Sequence, residues 1–265
     1  MNDLTGLEIN PVSKAAVSGL IVNYLSKTKS IFPWKVIGLD APPRMKTSFT
    51  VSLDDTDKMY DSIASSPYPI IKIKLGSPDD EKLILRLSEI SGKVFRIDAN
   101  GGWQPDMAER MVYLLNRLDV QLIEQPTDLK YIRDWKYIKD HSKASLILDE
   151  GLSTLDDYRN YSDYIDGVNI KMAKSGGITE AVRIARQVRR DKLKVMLGCM
   201  VESSVALSQA VYMASLADYL DFDGPLLLKS MIAGGIDFNL ENVYVDEDII
   251  GGPKIKKEFL DARTR

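Results

Sequence analysis

Histidine and cysteine are nearly missing from this sequence: His141 and Cys199 are the only ones among 265 residues. So few thiols exclude a disulfide framework, and one residue of each type excludes a structural zinc site built from Cys and His. A Ser-His-Asp hydrolase would have to use His141, whose surroundings, DHSKAS, read as a polar surface loop. Cys199 alone is compatible with the cytosol and says no more about redox compartment. Charge of one sign is lacking as well. Lys and Arg total 35 against 38 Asp and Glu, a net −3, which gives a nucleic acid no footprint. No run of about 18 apolar residues occurs, so no membrane span is expected, and no apolar leader follows Met1. The default location is the cytoplasm, and nothing in the composition decides for or against a homo-oligomer.

Five short apolar stretches, each closed by a charge, dominate what remains. They are IIKIK (Ile70 to Lys74), VFRID (Val94 to Asp98), VQLIE (Val120 to Glu124), SLILD (Ser145 to Asp149) and GVNIK (Gly167 to Lys171). Their richness in Ile, Leu and Val reads as buried parallel strands. Between them lie helical patterns. Ser77-Pro78-Asp79-Asp80 reads as a helix start with Ser77 as N-cap, and Gly92 as its close. Met107, Met111, Leu114, Leu115 and Leu118 share a face after Asp98, and Ala181, Ile184, Ala185 and Val188 do so after Lys171. TSFTVSL (Thr47 to Leu53), KVMLG (Lys194 to Gly198) and ADYLDFD (Ala217 to Asp223) bring the strands to eight. Strict alternation of strand and helix predicts a parallel (β/α) barrel of the TIM type.

The ends fall outside that repeat. Residues 1–45 contain one helix from Pro11, with Val17, Leu20, Ile21, Tyr24 and Leu25 expected on its buried face, and then a Pro-rich connection. Residues 46–224 form the barrel, and residues 225–265 a Gly-rich excursion with two short alternating runs and a basic last dozen residues expected to fray.

Parallel strands bring their C-terminal ends to one face of a barrel, where active sites of such barrels lie. Asp98, Glu124 and Asp149 would then converge, and three carboxylates at close range call for a cation. With only oxygen ligands on offer, that cation is expected to be one magnesium ion. Lys74 and Lys171 flank the acids in strand order. A lysine serves as a base in its neutral form, which nearby positive charge such as Lys72 or a metal ion favours. Two lysines about a metal-bound carboxylate suggest removal of the adjoining proton from one face and its return from the other, a 1,1-proton transfer through an enediolate. Lys174 competes with Lys171 for the inner position. Lys171 is preferred because it ends the apolar run, and Asp149 is preferred to Glu150 because it shares the phase of Asp98 and Glu124.

The motifs IKIKLG, RIDANGGW, LIEQP, ILDEG and NIKMAKSGGI, in this order, resemble those of the enolase superfamily in its muconate-lactonizing branch. The resemblance runs from about residue 8 to 255. It implies a modified barrel, (β/α)7β, with a capping region drawn from both chain ends, Lys74 and Lys171 as acid and base, and Asp98, Glu124 and Asp149 as magnesium ligands. DFDGP at 221–225 looks like the Asp-x-Asp of dipeptide epimerases, which implies that Asp221 and Asp223 bind the α-ammonium of a dipeptide such as L-Ala-L-Glu. Thr50, Lys72 and Cys199 match positions bordering the substrate. The resemblance leaves an N-acylamino acid racemase, a succinylbenzoate synthase or a cycloisomerase as rivals, and a non-catalytic metal- or ligand-binding fragment as a further one. Members begin with a three-stranded sheet and a closing loop that have no counterpart here. The chain is therefore expected to be a fragment, to start at a misassigned codon, or to have a reduced cap.

Overall fold

The structure, a computed structural model, describes residues 9–261. Eight parallel strands follow one another in sheet order: β1 (Phe49–Val51), β2 (Ile70–Lys74), β3 (Val94–Asp98), β4 (Val120–Glu124), β5 (Ser145–Leu148), β6 (Gly167–Lys171), β7 (Lys194–Gly198) and β8 (Tyr219–Asp221). The first and last are shorter than the sequence suggests, and β5 ends at Leu148, so Asp149 stands just past its strand. The chain divides into two compact units, and the division runs through β6.

One unit comprises Ser48–Leu152 and Asp156–Asn169. Its strands are near-continuous apolar runs because the sheet is covered on both faces: Ile71, Ile73, Ile97, Leu122, Ile123, Leu146, Ile147 and Val168 are all sealed from solvent. Helices Thr56–Ser65, Asp80–Leu87, Pro105–Leu115 and Trp135–His141 alternate with them. The last follows a 3-10 turn, Leu129–Asp134, and it carries His141 as its final residue, stacked on Tyr137, so His141 lies on a helix end and not in a loop. The register pairs Lys74 with Asp98, Asp98 with Glu124, Glu124 with Ile147, and Ile147 with Gly167. Register partners in a parallel sheet share a face, and side chains alternate along a strand. Lys72, Lys74, Asp98, Glu124 and Asn169 therefore point to one side.

Ser77 does not cap the following helix. The helix starts at Asp80, and Asp80 itself, 2% exposed, gathers the turn. Its carboxylate accepts from the amides of Gly76 (2.6 Å) and Ser77 (3.1 Å), from Ser77 Oγ (2.8 Å) and from the buried Trp103 indole Nε1 (2.7 Å). A buried carboxylate needs this many donors to offset its desolvation. The result fastens the loop after Lys74 to the loop after Asp98.

The other unit holds the described residues up to Thr47, Ser153–Leu155 and those from Ile170 on. Helix Pro11–Lys29 opens as its sequence predicts, with the Asn10 side chain accepting from Ser13 N at 2.8 Å and Pro11 in the first turn. Its buried face differs from the expected one. Ala15, Ser18, Gly19, Val22 and Ser26 turn inward, while Leu20 and Tyr24 are exposed and Val17, Ile21 and Leu25 are half-buried. Close approach decides this: a Cβ on Gly19 would lie 2.8 Å from Gln209 Nε2, and one on Gly177 would lie 2.6 Å from Ser18 Cβ. Ser18 Oγ accepts from Ile178 N at 3.2 Å, which ties this helix to the start of helix Ile178–Arg190.

Helix Ser204–Tyr212 lies between β7 and β8 and is followed by a 3-10 turn at Ala214–Leu216. Thr47 forms a parallel bridge with Leu220, and its Oγ1 accepts from Phe222 N at 2.7 Å. The C-terminal excursion is an antiparallel hairpin, Ile236–Asn239 with Asn242–Val245, joined by Met45–Lys46 as a third strand. Lys254–Ile255 pairs with Ala233–Gly234, and a helix covers Lys257–Asp261. The last dozen residues, expected to fray, instead form this strand and helix as far as Asp261, and the rest of that stretch lies outside the described residues. Among the described residues no helix is long and apolar enough to cross a membrane.

Candidate active site

Each of β2, β3 and β4 contributes one or two charges at its C-terminal end, and these meet. Lys72 Nζ lies 3.0 Å from Asp98 Oδ2 and 2.7 Å from Glu124 Oε2, with all three side chains almost fully buried. Lys74 Nζ lies 3.6 Å from the same Asp98 oxygen and 3.2 Å from Asn100 Oδ1. The two lysines differ in access: the Lys72 side chain is 4% exposed and that of Lys74 is 36% exposed. Lys72 is thus engaged by the acids, while Lys74 can reach a molecule from outside. Thr50 sits beside Lys72 in register, half-buried on β1.

The loops that follow the strands are held by amides. Asn100, with φ 45°, donates from Nδ2 to Glu150 Oε1 at 3.0 Å. Gln125, with φ 41°, takes the amides of Asp149 and Glu150 on its Oε1, both at 3.1 Å. Left-handed backbone at a non-glycine residue is sparsely populated, and at both positions the side chain reaches the loop after β5. Asp149 is 2% exposed and Glu150 is exposed, as the shared phase of Asp149 with Asp98 and Glu124 predicts. Asn169, not singled out in the sequence, donates from Nδ2 to Glu124 Oε1 at 2.7 Å.

In the other unit, β7 and β8 place Gly198 opposite Asp221. Asp221 and Asp223 are each 5% exposed and both press on Cys199 electrostatically. Burial first, and then these two carboxylates, push the Cys199 thiol well above its ordinary range, although Gly224 N donates to Sγ at 3.3 Å. An inert thiol follows. Glu202, in the same loop, is pushed up to about 7 by burial alone. It lines a cavity of about 400 Å³ whose walls are mainly apolar, among them Val12, Leu20, Met172, Val205 and Ile232. Lys171 ends β6 half-buried, and Lys174 follows within the helical turn Met172–Ser175.

The donor chemistry of Asp98, Glu124 and Asn169 suits a hard cation. Two buried carboxylates already share one positive group, every donor is oxygen, and Asn169 Oδ1 is buried with no hydrogen-bond partner among the described residues. The structure joins Asp98 and Glu124 through Lys72. Among the described residues no three Asp, Glu, His or Cys side chains are gathered closely enough to surround one ion.

Known proteins resemble this chain in sequence and fold. The family described as Enolase C-terminal domain-like matches residues 55–236. An L-Ala-D/L-amino acid epimerase of Flavobacterium johnsoniae is 35% identical over 190 residues, 72% of this chain and 56% of that protein. A hydrophobic dipeptide epimerase of Roseobacter litoralis is 34% identical over 242 residues, covering 87% of this chain and 70% of that one. The match thus spans just over half the length of the first relative. A dipeptide epimerase from Cytophaga hutchinsonii, solved with Mg and the dipeptide D-Ala-L-Val, superposes with a TM-score of 0.89 at 24% identity, over 97% of this chain and 73% of its own. That likeness makes the fold a modified TIM barrel, as the eightfold strand repeat predicts. The chain belongs to the Enolase C-terminal domain-like family.

Proposed function

We propose that this protein is a magnesium-dependent isomerase of the cytoplasm that inverts the α-carbon of the C-terminal residue of a dipeptide. The observation that supports this most directly is the Lys72–Asp98–Glu124 cluster with the accessible Lys74 at its edge. The relatives' names, L-Ala-D/L-amino acid and hydrophobic dipeptide epimerase, favour a dipeptide over the other substrates of such sites. Asp98, Glu124 and Asp149 would hold the ion. Bound there, it would supply Lewis-acid stabilisation to the carboxylate next to the reacting carbon.

The chain's own groups do the rest. Lys74, as the neutral amine, takes the α-proton; the C–H bond breaks and its electron pair passes into the adjoining carboxylate. Lys171 as the ammonium then returns a proton to the same carbon from the opposite face, which inverts it. Lys72 keeps Asp98 and Glu124 paired and in place. Asp221 and Asp223 receive the free α-ammonium of the dipeptide, with Thr50 and Cys199 bordering it. The roles of Lys171, Asp221 and Asp223 rest on motif order. So does the organisation into a capping remnant (1–45), a barrel (46–224) and a C-terminal excursion (225–265).

Incubation with magnesium and a dipeptide library in heavy water tests the reading. Deuterium should accumulate at the α-carbon of the C-terminal residue, and Lys74→Met should abolish this without unfolding the protein. Absence of exchange with every dipeptide refutes it.

A further inference from the structure

Asn169 is anomalous as a strand residue. It lies on β6 between Val168 and Ile170, both sealed from solvent, and is itself completely buried. Its Nδ2 stands 2.7 Å from Glu124 Oε1. The opposite amide orientation would set two acceptors, with no proton between them, at that distance, so chemistry fixes which end faces the carboxylate. Its Oδ1 is left buried without a hydrogen-bond partner among the described residues. A packing role gives no reason for that arrangement, since an apolar residue of similar volume would fill the space without desolvating an amide.

Glu124 shows what the amide does. One of its oxygens is taken by Asn169 and the other by Lys72, at 2.7 Å each, so the carboxylate has a fixed rotation in a fully buried setting. We propose that Asn169 is a positioning residue for the cation site. It pins Glu124 Oε1 so that Oε2 stays aimed at the positive charge shared with Asp98. The proposal rests on the reading of Asp98 and Glu124 as cation ligands. Partners that orient a ligating carboxylate change metal affinity about 10–100-fold when they are removed.

Calorimetric titration of Mg2+ into the wild-type protein and Asn169→Leu tests this. The variant should bind Mg2+ about 10–100-fold more weakly while its far-UV spectrum is unchanged. Asn169→Ala, which leaves space instead of filling it, provides the same test if the leucine variant does not fold. A folded variant that binds Mg2+ within about twofold of wild type overturns the positioning role, even if its melting temperature falls, because a merely structural amide would lower stability alone. A wild-type protein that takes up no Mg2+ overturns the cation site itself, and the role of Asn169 with it.

Discussion

Replacing Glu202 by glutamine should stabilise the protein, and by an amount that depends on pH. Burial raises this carboxyl from 4.5 to about 7, because its charged form is poorly solvated beside the apolar walls of its cavity. Its folded-state pKa is therefore above the unfolded one, so the native state holds the proton more tightly. The sign for a raised acid is a penalty that is absent at low pH, grows as pH passes the unfolded value near 4.5, and is complete above about 7. Integration of the linkage relation gives a penalty of about 1 kcal/mol at about pH 5 and about 3 kcal/mol at about pH 8. Glutamine carries no charge and removes that difference. Urea unfolding at the two pH values should show a gain from Glu202→Gln that is larger by about 2 kcal/mol at the higher pH. An equal gain at both, or none, would refute burial as the cause.

Three further substitutions probe the scaffold. Asp80→Ala strips the acceptor from two amides and the Trp103 indole, which should cost about 3 kcal/mol or more; a loss under about 1 kcal/mol in denaturant unfolding would show that water replaces the carboxylate. Gly177, at φ 106° with Ser18 where its Cβ would go, should lose about 2 kcal/mol on becoming alanine. Leu20→Lys, on the exposed side of the helix that packs there, should stay within about 0.5 kcal/mol by the same assay. Reversal of that order would mean that the helix buries its large residues after all.

The barrel strands were legible because a strand covered on both faces must be apolar throughout, so a single charge at its end stands out. The same phase separates Asp149, which is 2% exposed, from Glu150, which is exposed. The parity of GVNIK puts Asn169 on the same face as well, but an internal amide carries no charge to mark it. The buried face of helix Pro11–Lys29 departs from its apolar period for a different reason. Hydropathy ranks Leu20 and Tyr24 above Gly19 and Ser18, while the packing selects for closeness, which only small residues permit. Ser-Pro-Asp-Asp carries the signature of a helix start, which masks the part that Asp80 plays. Its tie to Trp103, 23 residues away, has no local signal.

Lys72 bears on the order in which this molecule is assembled. Collapse of β2, β3 and β4 carries two acids indoors, and an unaccompanied pair would face a desolvation cost of several kcal/mol per ion. Here the counter-charges travel on the same polypeptide: Lys72 and Lys74 match Asp98 and Glu124 two for two. Structural zinc domains, by contrast, wait for their metal before they fold. If the proposed cation site is right, a chain that brings its own cations can complete its fold in a cell starved of mineral ions and be loaded afterwards, so supply would set how much of it is active and not how much of it exists.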